Sequence, residues 1–188
     1  MNQATLISSV CVFCGSTPGN DPAYLAAADL LGTALGAQGI TLVFGGSDVG
    51  LMGQVSTSHM KAGGRVIGVY PTDTFSHDVA HPDLDVLHEV GSMHERKALM
   101  YELSDAVVAL PGGYGTLEEL TEALTWNQLG IHVIPTVLLN VNGFWDGFVD
   151  FLDHAVVAGF LKQSNRDLVH VTDRVDDVVA LLNRADRS

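Results

Sequence analysis

The segment Leu110-Pro111-Gly112-Gly113-Tyr114-Gly115-Thr116 places three glycines in four positions just ahead of a helical pattern. Glycine lets a backbone approach a ligand closely and adopt positive φ. The helix that follows aims its free N–H groups and the positive end of its dipole at whatever occupies the turn. Thr116 adds a hydroxyl. This chemistry suits a phosphate, but a tight strand-to-helix turn without a ligand uses the same residues. Glu119 stands three positions further on. As the partner of Thr116 in a Thr-x-x-Glu capping box it is structural. As a carboxylate one sugar-length from a bound phosphate, it can stabilise an oxocarbenium-like carbon or activate water.

The helical pattern Ser92–Leu103 favours the second reading. It opens on Ser92-x-x-Glu95, a capping box, and its apolar stripe is Met93, Leu99, Met100 and Leu103. Arg96 falls in the middle of that stripe and Lys97 at its edge. An arginine in a buried face is costly unless an anion meets it; otherwise it snorkels to the rim or pairs with a glutamate. The anion here is a phosphate, Glu119, or both.

Two further glycine turns follow strand-like runs, Cys14-Gly15-Ser16 and Gly45-Gly46-Ser47-Asp48-Val49-Gly50. Asp48 reads as a turn or cap residue. Thr125 lies along the Thr116 helix within reach of a base or sugar hydroxyl, and Trp126 reads as core or subunit contact. The dinucleotide fingerprint fails, because Gly113-x-Gly115 has no third glycine, and no Gly-Lys-Ser/Thr marks a P-loop. The eight histidines show no metal-type spacing, so no metal site is expected.

These residues need a scaffold. Strand-like runs are Leu6–Phe13, Ile40–Phe44, Arg65–Tyr70, Asp85–Val90, Ala106–Leu110 and Thr136–Asn140, with Leu168–Val171 as a short extra. Helical patterns alternate with them: Pro22–Gln38, Leu51–Ala62, Ser92–Leu103, Thr116–Leu129, Phe144–Ala158 and Val175–Asn183. Such alternation predicts an α/β fold with a mainly parallel sheet flanked by helices, whose ligands sit beyond the carboxyl ends of the strands. The segment Pro71–Leu84, with His77 and His81, reads as a loop that could serve as a lid.

The 188 residues suit one domain, 1–188, with a core that needs neither disulfide nor metal. Mean hydropathy is +0.25, and there is no run of 18 apolar residues, so no membrane span is expected. No Lys or Arg precedes Lys61, which does not fit a secretory signal, and a cytoplasmic location is expected. Cys11 and Cys14 end an apolar strand pattern and read as small buried hydrophobes. A net charge of −13 argues against nucleic acid. Any phosphate must therefore be held by backbone N–H groups and a few placed cations, of which there are only nine lysines and arginines in all.

Together the motifs form a recognisable set. Leu110 to Glu119 matches PGGxGTxxE, and Met93-His94-Glu95-Arg96-Lys97-Ala98-Leu99-Met100 matches its companion MxxRKxxM. Val12-Phe13-Cys14-Gly15-Ser16, Gly45-Gly46 with Gly50-Leu51-Met52-Gly53, and Thr125-Trp126-x-Gln128-Leu129-Gly130 fit as well. The chain resembles the LONELY GUY (LOG) family of cytokinin-activating phosphoribohydrolases over nearly its whole length. The resemblance implies a Rossmann-like three-layer homodimer acting on N6-modified adenosine 5′-monophosphates, often on AMP as well, and releasing free base and ribose 5-phosphate without a cofactor. It implies Arg96 and Glu119 as the catalytic pair. The phosphate would lie on Gly112, Gly113, Tyr114, Gly115 and Thr116, helped by Ser16, Gly45 and Gly46, with Lys97 and Thr125 as further substrate contacts. Two departures touch the base end: Ser47 replaces a common third glycine, and Pro71-Thr72-Asp73 offers a shorter carboxylate than the usual Pro-x-Glu. Some relatives carry a lysine decarboxylase label, but a pyridoxal phosphate enzyme needs a Schiff-base lysine with a partner for the pyridine nitrogen. Lys61, Lys97 and Lys162, the whole lysine complement, lack that setting. Two alternatives remain open: a non-catalytic carrier of a nucleotide or molybdenum cofactor, and a general nucleotide 5′-monophosphate nucleosidase.

Overall fold

A computed structural model describes residues 7–72 and 80–185. Seven strands form one sheet: β1 (Ser9–Phe13), β2 (Thr41–Phe44), β3 (Val66–Pro71), β4 (Val86–Val90), β5 (Ala106–Ala109), β6 (Thr136–Leu139) and β7 (Val169–Thr172). Every neighbouring pair runs parallel, in the order β4-β3-β2-β1-β5-β6-β7. The helices are α1 (Pro22–Ala37), α2 (Gly50–Lys61), α3 (Met93–Glu102), α4 (Tyr114–Leu129), α5 (Asp146–Val157), the short α6 (Gln163–Arg166) and α7 (Val175–Ala185). This is a three-layer, doubly wound Rossmann-like fold.

The central strands are apolar on both faces because both faces are covered. Val10, Val12, Leu42, Phe44 and Val108 pack against α1, α2 and α7. Cys11, Phe13, Val43, Val69 and Val107 pack on the other side against α3, α4 and α5. The strand order reverses between β1 and β5, where a ligand crevice is expected in such sheets. There the two loops approach closely: Gly15 N–H donates to the Pro111 carbonyl at 3.0 Å, and a Cβ on Gly15 would lie 3.5 Å from the Gly112 Cα.

Element boundaries differ from the sequence expectation in instructive ways. α4 starts at Tyr114, with Gly113 as its N-cap and no side-chain cap bond. The Thr116–Glu119 capping box therefore does not form, because Thr116 already lies inside the first turn. The box on α3 forms in part. Ser92 Oγ accepts from Glu95 N–H, while the Glu95 carboxylate accepts from Gly91 N–H rather than reaching Ser92. α6 was not anticipated, since four residues carry no periodicity. His77 and half of the expected lid, residues 73–79, lie outside the described residues. Beyond them, Ala80 bridges to Ser47, and His81 N–H donates to the Gly46 carbonyl at 2.8 Å.

Candidate active site

A cavity of about 300 Å³ opens at the carboxyl ends of β3, β2, β1 and β5. This is the lower end of the usual range for small-molecule sites. Each strand end contributes: Tyr70 from β3, Gly45 and Ser47 after β2, and Cys14, Gly15 and Ser16 after β1. The start of α4 closes the far side with Gly113, Tyr114, Gly115 and Thr116. By helix geometry the first N–H groups of α4 have no intrahelical acceptor. The first backbone bond there runs from Leu117 N–H to the Gly113 carbonyl.

Arg96 and Glu119 meet in this cavity. The Nη1 of Arg96 lies 3.5 Å from Glu119 Oε1, with both side chains about nine-tenths buried. The guanidinium is steered by a second bond, Nε to the Val69 carbonyl at 3.1 Å. It also needs space over β2, where a Cβ on Gly45 would stand 1.8 Å from Nη2. Gly45 is thus a glycine because Arg96 occupies the volume a side chain would fill. Gly112 plays the same part beneath α4, where a Cβ would come within 2.1 Å of Thr116 Oγ1. Burial pushes the Glu119 carboxyl up and the Arg96 cation pulls it back, leaving it near 7. Such a carboxyl is poised to exchange protons at neutral pH. Cys14 also lines the cavity, but burial raises its thiol far above the ordinary range, so it stays protonated and un-nucleophilic.

The remaining expected contacts divide. Ser16, Gly45, Gly113, Tyr114, Gly115 and Thr116 line the cavity, while Gly46, Gly112, Lys97 and Thr125 do not. Gly46 and Gly112 shape the loops from behind, Gly46 at a φ of 81°. Lys97 turns away, its ammonium engaged by Glu118 and by Glu122. Thr125 donates its hydroxyl to the Thr121 carbonyl at 2.7 Å and lies in a separate groove with Phe148 and Leu152. Tyr70, Met52, Met93, Ser47 and Glu118 were not anticipated as lining residues. Met93 was assigned to the apolar core stripe. Tyr70 could have been found from its place at the end of a strand. Ser47 is 4% exposed, and its Oγ has no hydrogen-bond partner among the described residues. Among those residues no cluster of three or more His, Cys, Asp and Glu could hold a metal, and no helix is long and apolar enough to cross a membrane.

A crevice at the reversal of a doubly wound parallel sheet, a glycine-wrapped helix start and a buried arginine–glutamate pair define an α/β protein built to bind an anionic small molecule beside a proton-transfer group. Sequence comparison makes this more specific. The model of a family described as "possible lysine decarboxylase" matches residues 52–182. The probable cytokinin riboside 5′-monophosphate phosphoribohydrolase LOGL9 of Oryza sativa subsp. japonica is 52% identical, over 85% of this chain and 70% of that one. The cytokinin riboside 5′-monophosphate phosphoribohydrolase of Rhodococcoides fascians is 43% identical, over 93% of this chain and 88% of that one. Among solved structures, the Chlamydomonas Moco carrier protein superposes with a TM-score of 0.71 at 25% identity, covering 95% of this chain and 97% of the carrier. The molybdenum cofactor binding protein of Rippkaea orientalis gives 0.67 at 26% identity, with 93% of each chain covered. The chain belongs to the family that the matching model describes, the one that includes the LOG phosphoribohydrolases. The lysine in the family's description finds no counterpart in the site, since no lysine lines the cavity among the described residues.

Proposed function

We propose that the chain hydrolyses the N-glycosidic bond of N6-modified adenosine 5′-monophosphates, and of AMP itself, to free base and ribose 5-phosphate. The carrying observation is the Arg96–Glu119 pair, 3.5 Å apart, in the cavity that the N-terminus of α4 closes. The 5′-phosphate docks on the N–H groups of Gly113 to Thr116, assisted by Ser16. Anchoring this remote group orients the sugar. The C1′–N9 bond then breaks with its electron pair passing to the base. Water adds its oxygen to C1′ and gives one proton to the Glu119 carboxylate, which also stabilises the cationic carbon. The departing base takes up a proton from solvent and Glu119 returns its own, leaving neutral base and the starting carboxylate. Arg96 orients that carboxylate and faces the departing base. From β5 to β3 the cavity spans three strand spacings, roughly 14 Å, which sets Tyr70 and Ser47 toward the base.

The named function of the relatives supports this reading. The carrier structures favour a second one, in which the cavity holds a phosphorylated cofactor without reaction. A carrier has no need of a carboxyl that titrates near neutrality beside a guanidinium. Incubation with AMP, GMP, CMP and N6-isopentenyl-AMP, followed by chromatography for free base, separates these readings. Release of base from the N6-substituted nucleotide and from AMP supports the first. Equal release from all four points to a general nucleosidase, and no release points to a carrier.

We further propose a cytoplasmic homodimer with no nucleic-acid or membrane partner. Support for the location is the pair of free, buried cysteines. Support for the dimer is the likeness to the LOG family, and the exposed apolar side chains Ile131, Val133, Phe151, Val157 and Phe160 offer surface for it. The net charge of −13 repels polyanions.

A further inference from the structure

The cavity describes how Arg96 meets Glu119 but not why Glu119 stays in place. Its own helix sets two more carboxylates beside it, Glu118 one residue before and Glu122 three after. Both are engaged by Lys97, the residue following Arg96 on α3. Lys97 Nζ is ion-paired with Glu118 and lies 3.0 Å from Glu122 Oε1, and its side chain is 4% exposed. The two helices are thus joined by parallel rungs, Arg96 to Glu119 and Lys97 to Glu118 and Glu122. Tyr101 on α3 adds a third by donating its hydroxyl to the Glu119 carbonyl at 2.8 Å.

We propose that Lys97 is a positioning residue for hydrolysis and not a substrate contact: it clamps the two carboxylates that flank Glu119, fixes α4 against α3 and shields the catalytic carboxylate from like-charge repulsion. This rests on the hydrolytic role proposed for Glu119. The charged and titratable groups around Glu119 are Arg96 and Lys97 from α3, Glu118 and Glu122 from α4, and the thiols of Cys11 and Cys14 from β1, with the Tyr101 phenol on its carbonyl. Burial raises Glu119, and Glu118 and Glu122 raise it further, while Arg96 and Lys97 oppose them. Burial works against the charge of Lys97 itself, but its two carboxylate partners more than offset this, so the ammonium is held above its usual range and persists across the working pH. A lysine exposed to substrate needs a free face, whereas this one spends its hydrogen bonds on α4.

The test is a carbon-13 titration of the Glu119 carboxyl, assigned by its loss in Glu119→Gln, alongside the pH profile of kcat/KM. In Lys97→Met the Glu119 midpoint rises by about half a unit to one unit, and the acidic limb of kcat/KM moves up with it. Lys97→Arg restores both toward the unaltered protein. The double variant Glu118→Gln with Glu122→Gln keeps the cation and removes the repulsion, so its midpoint falls. This arm stands even if Lys97→Met does not fold. A loss of thermal stability in Lys97→Met with an unmoved Glu119 titration overturns the proposal. So does a raised KM with an unmoved titration, which assigns Lys97 to the substrate. Failure of the unaltered protein to release base from any nucleotide counts against the hydrolytic reading alone, because the carboxyl titration needs no turnover.

Discussion

At the scale of single residues, chemistry in this site is set by environment more than by residue type. Glu119 is one of three neighbouring glutamates on α4, but it is the one shut in against Arg96, and burial pushes its carboxyl up to about 7. Two outcomes follow. Glu119→Gln keeps the fold and nucleotide affinity and lowers turnover by about 10²–10⁴-fold, checked by circular dichroism, calorimetric titration with AMP and base release. In the unaltered protein kcat/KM is high above about 7 and declines as pH falls through that value, because protonation removes the base that accepts the proton from water. Gly45 has an equally specific role. Gly45→Ala displaces the Arg96 guanidinium by steric overlap and lowers kcat far more than it lowers the melting temperature, checked by kinetics beside thermal unfolding. Ser47 carries a buried hydroxyl with no partner among the described residues.

At the scale of elements, the close contact of α1 with α2 supports the wall that carries Gly45 to Gly50. Gly32 makes it possible, since a Cβ there would meet the Val55 carbonyl at 2.3 Å. Gly32→Ala destabilises by about 1–3 kcal/mol through overpacking, measurable by urea unfolding, with little change in the pH profile of activity. His59 lies between the same helices, fully buried, its Nδ1 3.2 Å from the Gly32 carbonyl. Burial holds its imidazole below the ordinary pKa of 6.5, so the unfolded chain takes up that proton before the folded one. The stability from its neutral form is complete above 6.5 and is lost as pH falls toward the folded pKa. Urea unfolding between pH 8 and pH 5.5 shows this loss, and it is smaller in His59→Gln.

At the scale of the whole molecule, the cavity belongs to no single element. Four strand ends and three helices supply it, and the reversal of strand order between β1 and β5 creates the space. The exposed apolar side chains of α5 and the segment after α4 lie elsewhere on the surface. On the homodimer proposed above, replacing Val133 and Phe160, 84% and 91% exposed, together by aspartate shifts the protein to monomer in sedimentation velocity with its fold kept, and an unaltered protein that sediments as a monomer overturns that proposal.

Much of this was legible in the residues themselves. The alternation of β-branched runs with amphipathic segments determined the α/β class, because parallel strands covered on both faces must be apolar throughout. The glycine turns and the arginine set in an apolar stripe pointed to the cavity in which Arg96 meets Glu119, because backbone exposure and buried charge are costly unless used. The tertiary structure decided what depends on distance across chain-remote elements. It aimed Lys97 at Glu118 and Glu122 instead of the cavity. It sent Thr125 to the Thr121 carbonyl and started α4 two residues early, so that Thr116 caps nothing. It also brought Tyr70 and Met93 to the wall. Periodicity reports which face of an element is buried but not what that face meets, and the meeting of α3 with α4 is what gives Glu119 its pKa.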